Sequence, residues 1–331
     1  MWSVTLKPNP TFIALTGPTT SGKTELSLAL ARILEVEIIS MDSRQVYKGM
    51  DIGTDKASAG VRAMLPHHGL DLVSPSERYS AGRFARNARA WIKQISNRKR
   101  VPVLVGGTGF FLRAITEPIF AEPPMDSSRV EALRRYMTKL DSKAIAKWVK
   151  ELDPERAALA IEGGPQRINR TIEVALLTGH PLSRWHRESP PHAVALTGLV
   201  ALLDLPREEM DRRIDERVTH MVDEGLVQEV RSLLGAGYAL DAPGMTATGY
   251  REVARYLEGD QTLEEAMEEI RVNTRRYARR QLTWFRNQLP SSVRIIDATA
   301  SIELQAGAVL EAWLEVSERT TPEIFSDEAG L

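Results

Sequence analysis

Eight consecutive residues near the start of the chain, Gly17-Pro18-Thr19-Thr20-Ser21-Gly22-Lys23-Thr24, have the spacing G-x-x-x-x-G-K-[ST]. The apolar run before them, Thr11 to Thr16, reads as a strand. After them, Leu26, Leu30, Ile33 and Leu34 recur at helical spacing over Lys23 to Leu34. A strand, a glycine-bearing loop and a helix aim backbone N–H groups at phosphate oxygens, and the helix start adds partial positive charge. Lys23 supplies a full charge, and the Thr24 hydroxyl is placed to hold Mg2+. The chemistry implied is polyphosphate binding, of a nucleotide such as ATP or of another phosphate ester.

ATP-hydrolysing proteins with this loop carry a metal-binding Asp at the end of a later apolar strand. Here the later run Val101 to Val105 enters Gly106-Gly107-Thr108-Gly109 with no carboxylate. The loop therefore also suits a diphosphate that departs as a leaving group. Asp42 follows the short apolar run Glu37 to Ser40, at the strand edge where α/β sheets build their sites, with Ser43-Arg44-Gln45 beside it. An Asp there can cap a turn; next to an electrophilic diphosphate ester it can also take a proton from an attacking nucleophile.

A third group lies far along the chain. Residues 271–286 hold Arg271, Arg275, Arg276, Arg279, Arg280 and Arg286 without an acid, interleaved with Tyr277, Trp284 and Phe285. Spacing of four puts Arg271, Arg275 and Arg279 on one helix face. Phosphate contact with aromatic support is one reading. Neutralising a helix dipole is the other, because Glu264, Glu265, Glu268 and Glu269 precede the arginines. His67 and His68 are adjacent and lack carboxylate or Cys company, so they read as structural or loop residues rather than a metal site. Trp148 and Trp185 read as core.

The elements that must position these groups alternate between strand and helix, which predicts an α/β fold: a P-loop parallel sheet core flanked by helices. The character changes after residue 118. Residues Ser128 to Thr178 read as consecutive amphipathic helices, and a proline-rich link at Ser189 to His192 closes the block. The run Leu199 to Leu205 returns to the sheet. The expected organisation is a discontinuous catalytic core over 1–118 and 197–316, an all-helical insertion domain over 119–196 and a flexible tail over 317–331. Residues Thr262 to Asn287 form a long helix with a capping box at Thr262 and Glu265.

The 331 residues carry a net charge of −1, so a nucleic-acid surface must be a local patch. No cysteine is present, which excludes disulfides and thiolate metal sites. The start MWSVTLKPNP does not resemble a signal peptide, and the longest apolar run, Ala193 to Leu205, is too short to span a bilayer. We expect a soluble cytoplasmic monomer.

Several strings together resemble the tRNA dimethylallyltransferase family of bacterial type: GPTTSGKT, SMDSRQVYKGMDIGTDK (40–56), PHHGLDLVSPSERYSAGRF (66–84), VLVGGTGFFLRA (103–114), QRINR (166–170), GYRE (249–252) and RRYARRQLTWFR (275–286). The resemblance spans about 300 residues in one order. It implies transfer of a dimethylallyl group from dimethylallyl diphosphate to N6 of adenosine 37, next to the tRNA anticodon, with Mg2+ as cofactor. It implies that Gly17 to Thr24 bind the diphosphate, with the metal at Thr24, and that Asp42 is the general base. Thr108 would support the reacting groups, while Lys23 and Arg217 would meet the leaving diphosphate. The anticodon stem-loop would touch Asp42, Ser43, Arg44 and Gln45; Gln166, Arg167, Ile168, Asn169 and Arg170; and Gly249, Tyr250, Arg251 and Glu252. Family context turns the basic helix toward tRNA, with Arg275 and Arg279 as contacts. The chain departs from the family pattern at Phe110-Phe111, where an aliphatic and a tyrosine are usual, and at Ala247-Thr248, where a more apolar pair is usual. Apart from the resemblance, a small-molecule or nucleoside kinase would use the same loop for ATP, and a nucleotide-gated RNA-binding protein would use the basic helix without catalysis.

Overall fold

The computed structural model describes residues 11–117, 123–188 and 194–318. The chain divides into two compact units, Met1–Glu117 with Ala195–Leu331, and Pro118–Val194.

The first unit begins with β1 (Ile13–Thr16), the loop and α1 (Lys23–Leu30), then β2 (Val36–Ser40) and α2 (Ala59–Met64). Next come β3 (His67–His68), α3 (Ala81–Asn97), β4 (Val101–Val105) and α4 (Gly109–Thr116). The second unit contains α5 (Ser127–Met137), α6 (Ser142–Leu152), α7 (Ala157–Glu162), α8 (Pro165–Thr178) and α9 (Leu182–Glu188). The chain re-enters the first unit at β5 (Leu199–Asp204), α10 (Arg207–Asp223), α11 (Leu226–Gly235), α12 (Tyr250–Glu258), α13 (Leu263–Gln288), β6 (Arg294–Asp297) and α14 (Ile302–Glu318).

Among the described residues, six parallel strands form one sheet in the order β3-β2-β4-β1-β5-β6. β1 lies in the interior between β4 and β5, and all four of its residues are buried. That explains its unbroken apolar character, since a strand covered on both faces has no polar side to show. Pro102 is tolerated in β4 because the pairing with β1 begins only at Val103. The insertion unit closes its own small core around Met137, Val149, Ala157, Ala160 and Ile172, with Leu133, Ile145, Trp148 and Ile168 packed on it. Asp126, Asp141 and Asp153 cap helix or 3-10 starts there with their carboxylates. Among the described residues, no helix is long and apolar enough to cross a membrane.

Some expectations shift. α1 stops at Leu30 instead of Leu34, because the N–H groups of Arg32 and Ile33 turn back to Ala29 and Leu30 so that the chain can reach β2. Ile33 is consequently half exposed. Residues 317 and 318 still belong to α14, and the remainder of the expected tail, like the proline-rich link at 189–192, lies outside the described residues.

Glu37 is 2 % exposed within β2, and its carboxylate is surrounded by cations. It accepts from Arg98 Nε and Nη2 at 2.8 and 2.7 Å, from Arg100 at 3.4 Å and from His68 Nε2 at 2.8 Å. The Arg98 hydrogen bonds outweigh the cost of burial and hold the Glu37 carboxyl at about 2, against an ordinary 4.5. Glu37→Gln is expected to lower stability near pH 7 by about 1–3 kcal/mol, the cost of losing charge-assisted hydrogen bonds at a buried group. The folded pKa is depressed, so this contribution is complete above the ordinary value of 4.5 and is lost as pH falls toward 2. Urea unfolding of both proteins near neutral pH and near pH 3 checks this, the two curves converging at the lower pH.

Candidate active site

The loop after β1 is held by the strand ends around it. Thr16 Oγ1 donates to the Gly106 carbonyl at 3.0 Å, which ties the end of β1 to the turn after β4. Thr20 and Gly22 adopt positive φ of 64° and 86°, the alternation that turns successive N–H groups into one concavity. Gly22 caps α1 without a side chain, so no side-chain cap occupies the first N–H groups of that helix. The Lys23 ammonium donates to Gly17 O at 3.1 Å, Pro18 O at 2.5 Å and Ser21 Oγ at 3.3 Å. Burial pushes the Lys23 pKa down to about 8; Asp42 pulls it up and Arg217 pushes it further down.

Two arginines of α10, one turn apart, approach the same loop. Arg217 Nη1 donates to Thr19 Oγ1 at 2.7 Å and lies 3.4 Å from Asp55 Oδ2. Arg213 reaches Thr20 O at 3.4 Å while Glu209 holds its Nε at 2.7 Å. On the opposite side, Asp42 Oδ1 accepts the N–H of Arg44 at 2.7 Å, and no salt bridge engages Asp42 among the described residues. Thr108 Oγ1 accepts the Ser43 N–H at 3.0 Å, which joins the turn after β2 to the turn after β4. The Tyr277 hydroxyl on α13 lies near Thr108; burial raises the pKa of this phenol and the Asp42 charge raises it more. The structure thus brings the loop, Lys23, Asp42, Thr108 and Arg217 together at the carboxyl ends of β1, β2 and β4.

Other expected site residues are engaged differently. Arg44 spends its guanidinium on Pro243 O at 2.8 Å and Thr246 Oγ1 at 3.3 Å. Gln45 uses both ends of its amide on the protein, with Ser40, Thr54 and Asp55. Tyr250 and Glu252 are corrections: both are 0 % exposed and cannot reach an RNA. The Tyr250 hydroxyl donates to Glu229 at 2.5 Å, and Glu229 in turn accepts the N–H groups of Asp51, Ile52 and Gly53. Glu252 caps α12 by accepting the Gly249 N–H and accepts from Asn273 on α13. Polar residues that looked like a contact motif therefore shape the loop at 51–55; Arg251 alone of the four has an exposed side chain. On α8 of the second unit, Gln166 and Arg167 are exposed, Asn169 and Arg170 are partly buried, and Ile168 packs into that unit's core.

The basic helix is divided among three faces. Arg271 and Arg275 face the acids of α10 and their own helix: Arg275 pairs with Asp215, and Arg271 lies 3.5 Å from Glu268. Arg276, Arg279, Arg280 and Arg286 are exposed. The face bearing Tyr277 and Gln281 points at the phosphate loop, a role the sequence reading did not assign. Gln281 accepts the Thr19 N–H at 2.9 Å and donates to Gly107 O at 2.8 Å. The available signal was spacing: Tyr277, Gln281 and Trp284 are i, i+4 and i+7 on one helix. His67 and His68 are used locally, by Leu65 O and Glu37, and no His, Cys, Asp or Glu cluster able to hold a metal occurs among the described residues.

A family model described as IPP transferase matches residues 45–288, and one described as isopentenyl transferase matches residues 10–61. The chain is 44 % identical over 279 residues to a tRNA dimethylallyltransferase of Geobacillus thermodenitrificans, covering 84 % of this chain and 88 % of that one. It is 40 % identical over 307 residues to that of a Roseiflexus species, covering 92 % and 98 %. Among solved structures, a tRNA isopentenylpyrophosphate transferase from Bacillus halodurans aligns with a TM-score of 0.64 at 35 % identity, covering 93 % and 98 %. A eukaryotic dimethylallyltransferase acting on tRNA aligns with a TM-score of 0.73 at 26 % identity, covering 87 % of this chain and 73 % of that one.

The depressed pKa of Lys23 has a measurable consequence. Below about 8 the ammonium is charged and attracts an anion; above it the free protein holds a neutral amine. Affinity for inorganic diphosphate is therefore expected to fall as pH rises through about 8, and Lys23→Met should bind weakly with a flatter pH profile. Calorimetric titration across that range tests it.

Proposed function

The chain belongs to the IPP transferase family, and from that premise we propose that it is a tRNA dimethylallyltransferase acting in the cytoplasm as a monomer. The donor is dimethylallyl diphosphate and the acceptor is N6 of adenosine 37 beside the anticodon. The observation carrying this reading is the pairing of a phosphate loop with Asp42, a carboxylate that no salt bridge engages among the described residues, while β4 runs into Gly106 to Gly109 without a second carboxylate.

An adenine amino group is a poor nucleophile, because its lone pair is delocalised into the ring. Departure of the diphosphate must therefore supply most of the driving force. As the bond from the allylic carbon to the diphosphate oxygen breaks, negative charge grows on the leaving group, where Lys23 and Arg217 neutralise it. The N6 lone pair forms the new C–N bond, and Asp42 accepts the N6 proton. Thr108, held by the Ser43 N–H, keeps its hydroxyl on the turn next to Asp42 to orient the amino group. The adenosine must leave its stack to reach this point.

Thr24 offers one hydroxyl, and no carboxylate or histidine cluster able to hold a metal occurs among the described residues, so Thr24 would hold a Mg2+ that arrives with the diphosphate. Bound there, the ion would supply further charge neutralisation to the leaving group.

For the RNA, Asp42, Ser43, Arg251, Gln166, Arg167, Asn169 and Arg170 remain our assigned contacts; Gly249 is buried, with its N–H given to Glu252. Arg279, with Arg276 and Arg280, presents exposed guanidinium groups to phosphates. Arg275 serves the packing of α13 on α10.

The reaction is tested by mass spectrometry of nucleosides from unmodified tRNA incubated with protein, Mg2+ and dimethylallyl diphosphate. The expected product is an adenosine heavier by one dimethylallyl group, formed only with donor present. Asp42→Asn should slow its formation by about 10²–10⁴-fold, the usual worth of a general base, with tRNA binding retained. Consumption of ATP without prenylated product would return the kinase reading.

The two faces of α13 give a separate expectation. Replacing Arg276 and Arg279 together by Ala should weaken tRNA binding and reduce the slope of log K against log salt by roughly 1–2. Arg275→Ala should leave that slope unchanged and lower the thermal midpoint, as filter binding and calorimetry would show.

A further inference from the structure

One turn of α13 reaches into the catalytic loops. Gln281 is 7 % exposed, although its helix neighbours Arg279 and Arg280 face solvent. Its carbonyl accepts the Thr19 N–H at 2.9 Å, and its amide nitrogen donates to the Gly107 carbonyl at 2.8 Å. A carboxamide is the side chain that can accept and donate at once in this way; a carboxylate would lose the donor and a Leu both. The fit is close. A Cβ on Gly107 would stand 2.1 Å from the Gln281 amide nitrogen, and one on Gly109 would stand 2.2 Å from the Trp284 ring. Thr19 is thereby held twice, through its N–H by Gln281 and through its hydroxyl by Arg217 at 2.7 Å.

The same helix turns a different face to solvent. Tyr277, Gln281 and Trp284 share the inner face, at Thr108, Gly107 and Gly109, while Arg276, Arg279 and Arg280 are exposed beside them. A rigid helix that offers arginines on one face and clamps the phosphate loop with another connects the two substrates physically.

We propose that Gln281 is a positioning residue of the diphosphate site, clamping the phosphate loop at Thr19 to the turn at Gly107 so that the RNA-facing helix sets the loop's anion-binding shape. The proposal rests on the transferase reading and deepens it. Gln281 touches neither reacting group; it acts through the Thr19 backbone. Its loss affects donor binding first.

The test uses the full-length protein, inorganic diphosphate with Mg2+ as the probe, and two variants. Gln281→Leu removes both hydrogen bonds while keeping the volume. Gly107→Ala leaves the sequence of α13 intact and displaces the same amide from its other end, so it decides the matter if the first variant fails to fold. Both are expected to weaken diphosphate binding about tenfold, the scale of a lost buried hydrogen-bond pair. The KM for dimethylallyl diphosphate should rise in proportion, with kcat at saturating donor and tRNA affinity changing less than about threefold. Unchanged diphosphate affinity in a folded variant overturns the proposal. So does a parallel loss of tRNA affinity and thermal midpoint, which would make Gln281 a packing residue of α13. Failure of the transferase reading looks different: the unmodified protein itself would form no prenylated adenosine.

Discussion

The carboxyl ends of three strands are fastened to one another by a few hydrogen bonds, and the position of every group in the candidate site follows from them. Thr16 Oγ1 bonds the Gly106 carbonyl, the Met41 N–H bonds the Val105 carbonyl at 2.7 Å, and Thr108 takes the Ser43 N–H. These contacts fix the phosphate loop after β1, the Asp42 turn after β2 and the glycine turn after β4 relative to one another. The parallel sheet makes this possible, because every strand delivers its end, and the loop that follows it, to the same edge. A shift of one strand by one residue would turn Asp42 away from Lys23.

Charge at that edge is balanced closely. Lys23, Arg213 and Arg217 face the loop, Arg213 already paired with Glu209, and Asp42 and Asp55 are the carboxylates whose fields reach Lys23. Burial outweighs those fields, so the Lys23 ammonium is held less firmly than an exposed one. An incoming diphosphate would bring the countercharge that this ammonium lacks, which gives the site an electrostatic reason to favour a dianionic group over water. Arg217 is shared between Thr19 and Asp55 at 2.7 and 3.4 Å, so it is already oriented over the loop before any anion arrives. Such preorganisation lowers the cost of stabilising charge that develops during bond breaking.

How much of this was legible in the sequence depended on whether a residue's role is local. The phosphate loop was, because its mechanism needs contiguous residues between a strand and a helix. β1, β2, β4 and β5 were visible as apolar runs, since interior parallel strands are covered on both faces. β3, two residues long, and β6, where Ile296 is the only buried residue, carry no such signal. The Gly249–Glu252 string was misread in part for a physical reason. A buried polar network and a surface contact both require hydrogen-bonding side chains, and only burial separates Tyr250 and Glu252 from Arg251. The inward roles of Gln281 and Tyr277 were not legible because their neighbours, Thr19 and Thr108, are more than 160 residues away in the chain.

α13 shows why composition alone does not assign a basic helix to RNA. Six arginines in one segment suit phosphate contact and dipole balance alike, and helical geometry separates them. Arg271 and Arg275 meet carboxylates of α10 and of the first turns of α13, so their charge is already matched and is unavailable to a phosphate. The arginines a residue or a few farther on remain exposed. Between these two faces, Tyr277 and Gln281 turn inward to the loops that hold Thr108 and Thr19. The pairing of Arg275 with Asp215 of α10 works together with the buried Ile270, Ala278 and Phe285 in setting the rotation of the helix about its axis. That rotation decides which side chains point at the phosphate loop and which at solvent, so the packing of α13, buried apolar residues and ion pairs together, sets the geometry of a site most of those contacts do not touch.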